Sequence, residues 1–295
     1  MGDIVVGVDG SANGAAALRW AVAEAALRKD RVVALFAWGY IPPGHAGDGR
    51  TFDSEYGRVD AAAALDTAIE AALGAEQAQL IERQVIGDVP TKALLAASAG
   101  AELVVVGARG AGGFQRLLLG SVSESCLHHT TRPLAIIRSA APPEPAATGE
   151  KCQTSGPARI VVGVDGSDSA RRAMRWALEE ARLRRAAVDV VHAWHVPYTV
   201  HSPFVGIPMD IEVVEKSARA VLDRVVDGED LRRQPAPVER ILACGGAASA
   251  VLDTAPGADL VVLGSRGLGG FKGLLLGSVT HHVAHHVRCP LVVIP

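Results

Sequence analysis

The sequence has only four cysteines in 295 residues, Cys126, Cys152, Cys244 and Cys289, and they lack metal-ligand spacing. They do not recur at equivalent places in the two halves, so all four read as small free thiols rather than a disulfide framework or zinc site. Long apolar runs are missing too. Stretches such as Leu103 to Gly107 and Leu260 to Gly264 fall far short of the roughly 18 to 20 residues that a membrane span needs. The opening Met1-Gly2-Asp3-Ile4 has no basic region leading into an apolar stretch and a cleavage site, and the expected location is cytoplasmic. Neither sign of charge dominates. A net charge of −3, with 21% charged and 49% hydrophobic residues, is the balance of an ordinary globular chain. It excludes the basic footprint of a nucleic-acid binder and a disordered acidic tail. Two familiar phosphate-binding signatures are also absent: Gly-Lys-Ser/Thr after a four-residue gap, and Gly-x-Gly-x-x-Gly after a first strand. The chain is neither a Walker-type NTPase nor a dinucleotide Rossmann enzyme.

What is present is a repeat. Ile4-Val-Val-Gly-Val-Asp-Gly-Ser11 returns as Ile160-Val-Val-Gly-Val-Asp-Gly-Ser167. An offset of 156 residues relates Asp9 to Asp165, Trp20 to Trp176 and Trp38 to Trp194; by Gly107 and Gly264 it has become 157. So close a register over so long a stretch is a whole-domain duplication, not a short solenoid repeat. Ser139 to Pro157, rich in Pro, Ala, Gly, Ser and Thr, reads as a linker, giving domains at 1–138 and 158–295.

Each copy alternates strand and helix. Ile4 to Val8 is a β-branched run of the kind buried on both faces of a parallel sheet. Asp9-Gly10-Ser11 turns the chain, and Ser11 or Asn13 can cap a helix to about Arg28 with Ala17, Trp20, Ala21 and Ala25 on one face. Val32 to Trp38 is the second strand. A Pro- and Gly-rich excursion at Ile41 to Gly49 precedes a helix from about Glu55 to Leu73. Leu80 to Ile86, Pro90 to Ala99, Leu103 to Gly107, Ser121 to Thr130 and Leu134 to Arg138 complete the unit. The second copy repeats it, with Pro197 to Pro208 as its excursion. The expected fold is α/β: two tandem Rossmann-like domains, each a five-stranded parallel sheet with helices on both faces. Ligands of such sheets bind beyond the strand ends where the order reverses. Bringing the turn after strand one beside the turn after strand four gives the order 3-2-1-4-5.

That fourth turn is the most informative segment. Gly107-Ala-Arg-Gly110 through Gly120-Ser121 and Gly264-Ser-Arg-Gly267 through Gly277-Ser278 both obey Gly-x2-Gly-x9-Gly-Ser. Glycines there allow positive φ and close approach of backbone N–H groups to phosphate oxygens. The closing Gly-Ser starts the next helix, whose positive end faces an anion. Gly112-Gly113 and Gly269-Gly270 extend the surface into a triphosphate cradle. Asp9 and Asp165, at the mouth of the same cleft, can accept from a ribose hydroxyl, help to hold Mg²⁺, or cap the following helix. Arg109 and Arg266 either pair with phosphate or are simply solvated.

With the Val-Asp-Gly-Ser of strand one and the five-strand unit, this loop resembles the universal stress protein family, of adenine nucleotide alpha hydrolase-like fold, in the tandem form common in actinobacteria. The resemblance implies an ATP-binding stress-response regulator with one site per domain, Mg²⁺ accompanying the nucleotide. It implies phosphate contacts from Gly107, Gly110, Gly112, Gly113, Gly120, Ser121 and Val122, and from Gly264, Gly267, Gly269, Gly270, Gly277, Ser278 and Val279. It also implies contacts at Gly7 with Asp9 and at Gly163 with Asp165, and adenine bonding by the backbone near Ala37 and Ala193. The copies differ at Ala108 against Ser265 and Gln115-Arg116 against Lys272-Gly273, so their affinities are expected to differ. No paired general base, arginine finger or nucleophile constellation is legible, so bound nucleotide without turnover is expected; a slow ATPase and a scaffold with structural ATP are the alternative readings. Partners are otherwise unnamed by the sequence.

Three further features were weighed. His281, His282, His285 and His286 have i, i+4 spacing suited to a metal, yet the first copy keeps only His128 and His129, and structural or surface roles are favoured. Trp20 and Trp176 are expected to pack in the core, while Trp38 and Trp194 lie beside the presumed adenine pocket. Leu134 to Ile137 and Leu291 to Ile294 are apolar edge strands with little charge, which invites a pseudo-two-fold association through strand five, of domains within the chain, between chains as a homo-oligomer, or both.

Overall fold

Ile4 and Val6 have no exposure at all, and that burial explains why the first strand carries no polar alternation. In the first unit, Met1–Pro145, this strand is β1 (Asp3–Gly7). The computed structural model describes residues 2–39, 57–111, 118–139, 158–195, 210–269 and 275–295. The chain continues through α1 (Ala12–Arg28), β2 (Arg31–Ala37), α2 (Arg58–Leu73), the single turn α3 (Ala75–Ala78), β3 (Glu82–Ile86) and α4 (Pro90–Ser98). It ends with β4 (Leu103–Gly107), α5 (Ser121–His129) and β5 (Leu134–Ile137). The strands pair in parallel in the order β3-β2-β1-β4-β5, as expected, with Val5 opposite both Val33 and Val104. The helices α1 and α2 pack together, as do α4 and α5, and the sheet lies between.

The second unit, Ala146–Pro295, repeats the plan. Its elements are β6 (Arg159–Gly163), α6 (Asp168–Arg184), β7 (Ala187–Trp194), α7 (Ile211–Asp227), β8 (Val238–Cys244), α8 (Ala247–Thr254), β9 (Leu260–Gly264), α9 (Ser278–His286) and β10 (Leu291–Ile294). Its parallel order is β8-β7-β6-β9-β10.

The duplication extends to local chemistry. Ser11 caps α1 by accepting the Gly14 N–H at 3.0 Å, and Ser167 caps α6 by accepting the Ala170 N–H at 3.1 Å. Both helices end on a left-handed residue that is not glycine, Lys29 (φ 61°) and Arg185 (φ 55°). The turn before each helix needs its glycine, because Gly10 and Gly166 stand at φ 76° and 87°. Glu24 and Glu180, with no side-chain exposure, pair with Arg28 and Arg184 one helical turn later. A buried carboxylate requires such a partner.

Some boundaries shift from expectation. Gly74 breaks the long helix, α3 follows, and β3 begins only at Glu82, leaving Leu80 82% exposed on the turn. Trp20 and Trp176, expected in the core, are half-buried; Ala17, Leu18 and Ala21 form the fully buried face of α1. The two excursions and nearly all of the expected linker, 140–157, lie outside the described residues. Among the described residues no helix is long and apolar enough to cross a membrane.

Candidate functional site

In each unit β1 and β4, or β6 and β9, lie side by side, and the turns that follow them enclose a cleft at their carboxyl ends. The first cleft, with about 670 Å³ of empty space, is lined by Gly7, Asp9, Ala37, Gly107, Arg109 and Val122 among the expected residues. The second, about 770 Å³, gathers Gly163, Asp165, Ala193, Gly264, Arg266, Gly267, Gly269, Gly277, Ser278 and Val279. Gly110, Gly120 and Ser121 belong to the loop around the first cleft without lining it. Gly112, Gly113 and Gly270 lie outside the described residues. The apolar walls were not foreseen. They include Leu35, Pro90 and Leu94 in the first cleft and Val191, Ala247 and Val251 at the same places in the second. Each of the second set is smaller.

Among the described residues, the glycines of the two loops do not take the positive φ that was expected of them. They are needed for close approach within the protein. A Cβ on Gly107 would lie 2.7 Å from the Asn13 carbonyl carbon, and one on Gly264 2.8 Å from that of Ser169, so β4 and β9 press against the first turns of α1 and α6. A Cβ on Gly110 would lie 2.5 Å from Asp9 Oδ2, and one on Gly267 would be closer still to Asp165 Oδ2. Gly269 differs in facing open space, with nothing within 4 Å of its Cβ position.

Those aspartates bind the backbone. Asp9 Oδ1 accepts from the Ser11 N–H (3.0 Å) and Oγ–H (2.6 Å), and Oδ2 accepts from the Ala111 N–H (2.9 Å). Asp165 Oδ1 accepts from the Ser167 N–H (2.9 Å) and Oδ2 from the Leu268 N–H (2.7 Å). The helix cap is the serine, not the aspartate. At the far end of the loop the Gly120 N–H donates to the Ala108 carbonyl at 2.7 Å, and the Gly277 N–H to that of Ser265 at 2.8 Å. These two amides face inward. Gly120 and Gly277 are the N-cap residues of α5 and α9 and supply no side-chain cap, so the first-turn amides from Ser121 and Ser278 onward form the helices' positive ends.

Charge differs between the clefts. Arg109 and Arg266 are exposed at the two rims. Arg138, which the sequence did not single out, donates to the Leu118 carbonyl at 2.8 Å. Burial and the nearby positive Arg109 both pull its guanidinium pKa below the ordinary range. Two cations therefore stand near the first loop. The corresponding place in the second unit is Pro295, whose carbonyl accepts from Arg172. Phe36 of the first cleft has His192 as its counterpart, buried with Nδ1 2.7 Å from the Val164 carbonyl. Trp38 lies against Gly87, whose Cβ position is 3.5 Å from the indole. The α9 histidines pair along the helix, His282 stacked on His286 and His281 tilted against His285, with ring centroids 4.3 and 4.5 Å apart.

The sequence profile of the universal stress protein family matches residues 1–138 and again 157–295. A universal stress protein of Mycobacterium tuberculosis is 33% identical over 299 aligned residues, covering 98% of this chain and 96% of its own. The crystal structure of a universal stress protein from Archaeoglobus fulgidus, 21% identical, covers 99% of this chain and 96% of its own with a TM-score of 0.60. Another from that organism, solved in complex with dAMP, is 31% identical and covers 47% of this chain and 98% of its own, with a TM-score of 0.35. The chain belongs to the universal stress protein family and carries two copies of its domain.

Proposed function

We propose that each unit binds one adenine nucleotide, ATP, and that the chain is a cytoplasmic stress-response regulator whose nucleotide state is read by protein partners. The observation that carries this reading is the duplicated cleft. In both units an apolar wall, an inward-facing strand end at Ala37 or Ala193, a glycine loop and an uncapped helix N-terminus surround one volume. The wall suits a base, the backbone of Ala37 or Ala193 its edge, and the loop with Arg109 or Arg266 its phosphates. Ser121, Val122, Ser278 and Val279 contribute amides at the helix ends, while Gly110 and Gly267 let the loop close on the aspartate.

Mg²⁺ bound with ATP neutralises part of the triphosphate charge. The donors near it are Asp9 and Asp165, carboxylates of the hard-oxygen type Mg²⁺ prefers, and each oxygen already accepts backbone bonds. A metal would have to share their remaining lone pairs.

The test is to denature purified protein, identify the released nucleotide, and follow exchange and hydrolysis over hours. Release of adenine nucleotide that exchanges without turnover supports a sensor. Rapid hydrolysis would replace that reading with an ATPase, and nucleotide that never exchanges would replace it with a scaffold. A protein that neither carries nor binds adenine nucleotide would defeat the proposal. We further propose homo-oligomerisation through the apolar edges β5 and β10; sedimentation showing a monomer at all concentrations would sink it.

A further inference from the structure

We propose that Asp9 and Asp165 are positioning residues that latch the glycine loop in place before any nucleotide arrives, rather than ligands of Mg²⁺ or of the ribose. The proposal rests on the nucleotide reading only for its second measurement. Each carboxylate joins two chain segments that lie far apart in sequence. One oxygen holds the turn after strand one, at Ser11 or Ser167; the other holds the loop after strand four, at Ala111 or Leu268, about 100 residues away. The stitch recurs in both units with closely similar lengths, 2.9 and 2.7 Å at the loop amide.

Three details make it a built contact. The glycine before each loop amide, Gly110 or Gly267, leaves the space that the carboxylate fills, and a side chain there would expel it. Gly10 and Gly166, at positive φ, give the turn the shape that lets the aspartate reach back to the serine amide. The Asp9 carboxylate also accepts the Ser11 hydroxyl, which fixes its rotamer. With Gly120 or Gly277 bonded at its far end, the loop is held at both ends. Loop ends fixed in advance do not lose that freedom when a ligand binds, and this raises affinity.

The sign of one substitution separates a latch from a carboxylate that acts through its charge alone. Asp9 brings negative charge to a cleft read as a triphosphate site, so on Coulomb grounds alone Asp9→Asn should tighten ATP binding. As a latch, Asn offers an N–H₂ where an acceptor is needed, the loop loosens, and binding weakens about tenfold or more.

The experiment uses the full chain. Amide hydrogen exchange without nucleotide should show the Ala111 N–H protected, and Asp9→Asn should speed its exchange at least about tenfold while Leu268, in the unaltered unit, stays protected. Asp165→Asn should do the converse. Calorimetric titration with ATP, with Mg²⁺ and again with EDTA, should then show an equal loss in both conditions, and the same loss with 2′,3′-dideoxy-ATP. Unchanged Ala111 exchange in Asp9→Asn overturns the latch even if ATP binding falls. Faster exchange in a protein that never binds nucleotide leaves the latch standing and removes the functional reading instead. A loss confined to the Mg²⁺ titration, or absent with the dideoxy nucleotide, overturns the proposal in favour of a metal or ribose contact. If Asp9→Asn does not fold, Gly110→Ala displaces the same carboxylate and is read by the same exchange.

Discussion

Alanine at Gly110 is the sharpest perturbation of the first cleft. Its Cβ would fall 2.5 Å from Asp9 Oδ2, well inside contact distance, and the other atoms near it are those of the same carboxylate. The backbone can stay and the carboxylate swing away, breaking the 2.9 Å bond from the Ala111 N–H. A hydrogen bond to a charged group contributes about 1.5–3 kcal/mol. If the loop must recover that order on binding, affinity falls roughly 10- to 150-fold, since about 1.4 kcal/mol is tenfold. Stability should fall by less than the bond alone contributes, because the φ of Gly110 is not positive and the alanine's restriction of the unfolded chain offsets about 0.4–1 kcal/mol. Gly100→Ala, with nothing within 4 Å of its Cβ, controls for that entropy and should leave binding untouched. Calorimetric titration of the full chain with ATP should show Gly110→Ala weakening one of two sites and sparing the other. Unchanged binding at both sites, with the fold intact by circular dichroism, would refute the reasoning from the Asp9 contact.

Other outcomes follow from single contacts. Arg28→Ala and Arg184→Ala remove a charged partner of a carboxylate with no exposure and should each lower stability in urea unfolding, by at most about 3–5 kcal/mol. Burial pushes the Cys126 thiol up to about 12 and the Cys289 thiol up to about 11, so exposed Cys244 should alkylate well before either at pH 8, as peptide mapping would show. Both thiols stay protonated in the fold but ionise near 9 when unfolded, so the folded state binds more protons and stability should fall as pH rises from about 9 to 11. Uniform stability over that range would contradict the burial. Arg109 and Arg266 stand at equivalent rims of the two clefts, so raising salt should weaken ATP binding at both sites. Gly110→Ala and Gly267→Ala proteins would separate the two titrations.

Strand order, the position of the cleft and its duplication were legible because they follow from residue spacing. Buried parallel strands are continuous β-branched runs, and Val-Asp-Gly-Ser with Gly-x2-Gly-x9-Gly-Ser recur at a nearly fixed offset. What stayed hidden depends on contacts between distant segments. Gly107 reads as a phosphate glycine, yet its neighbour is the backbone of Asn13. Asp9 reads as a ligand or a cap, whereas its partner is an amide at position 111. The pairing of Glu24 with Arg28 looks like a solvated helix pair until α1 is placed on the sheet. Arg138 carried no signal at all, because only the fold brings the end of strand five beside the loop. Leu80 was drawn into a strand by its hydrophobicity, although Gly74 and α3 turn it to solvent.

The central claim is that neither half is a spacer and each holds its own nucleotide. Native mass spectrometry of the full chain with ATP tests it most directly. The account predicts two adenine nucleotides per chain, reduced to one tightly held nucleotide in either Gly110→Ala or Gly267→Ala and to none in the double variant. A wild-type chain that takes up one nucleotide or none, or a double variant that still takes up two, would contradict it.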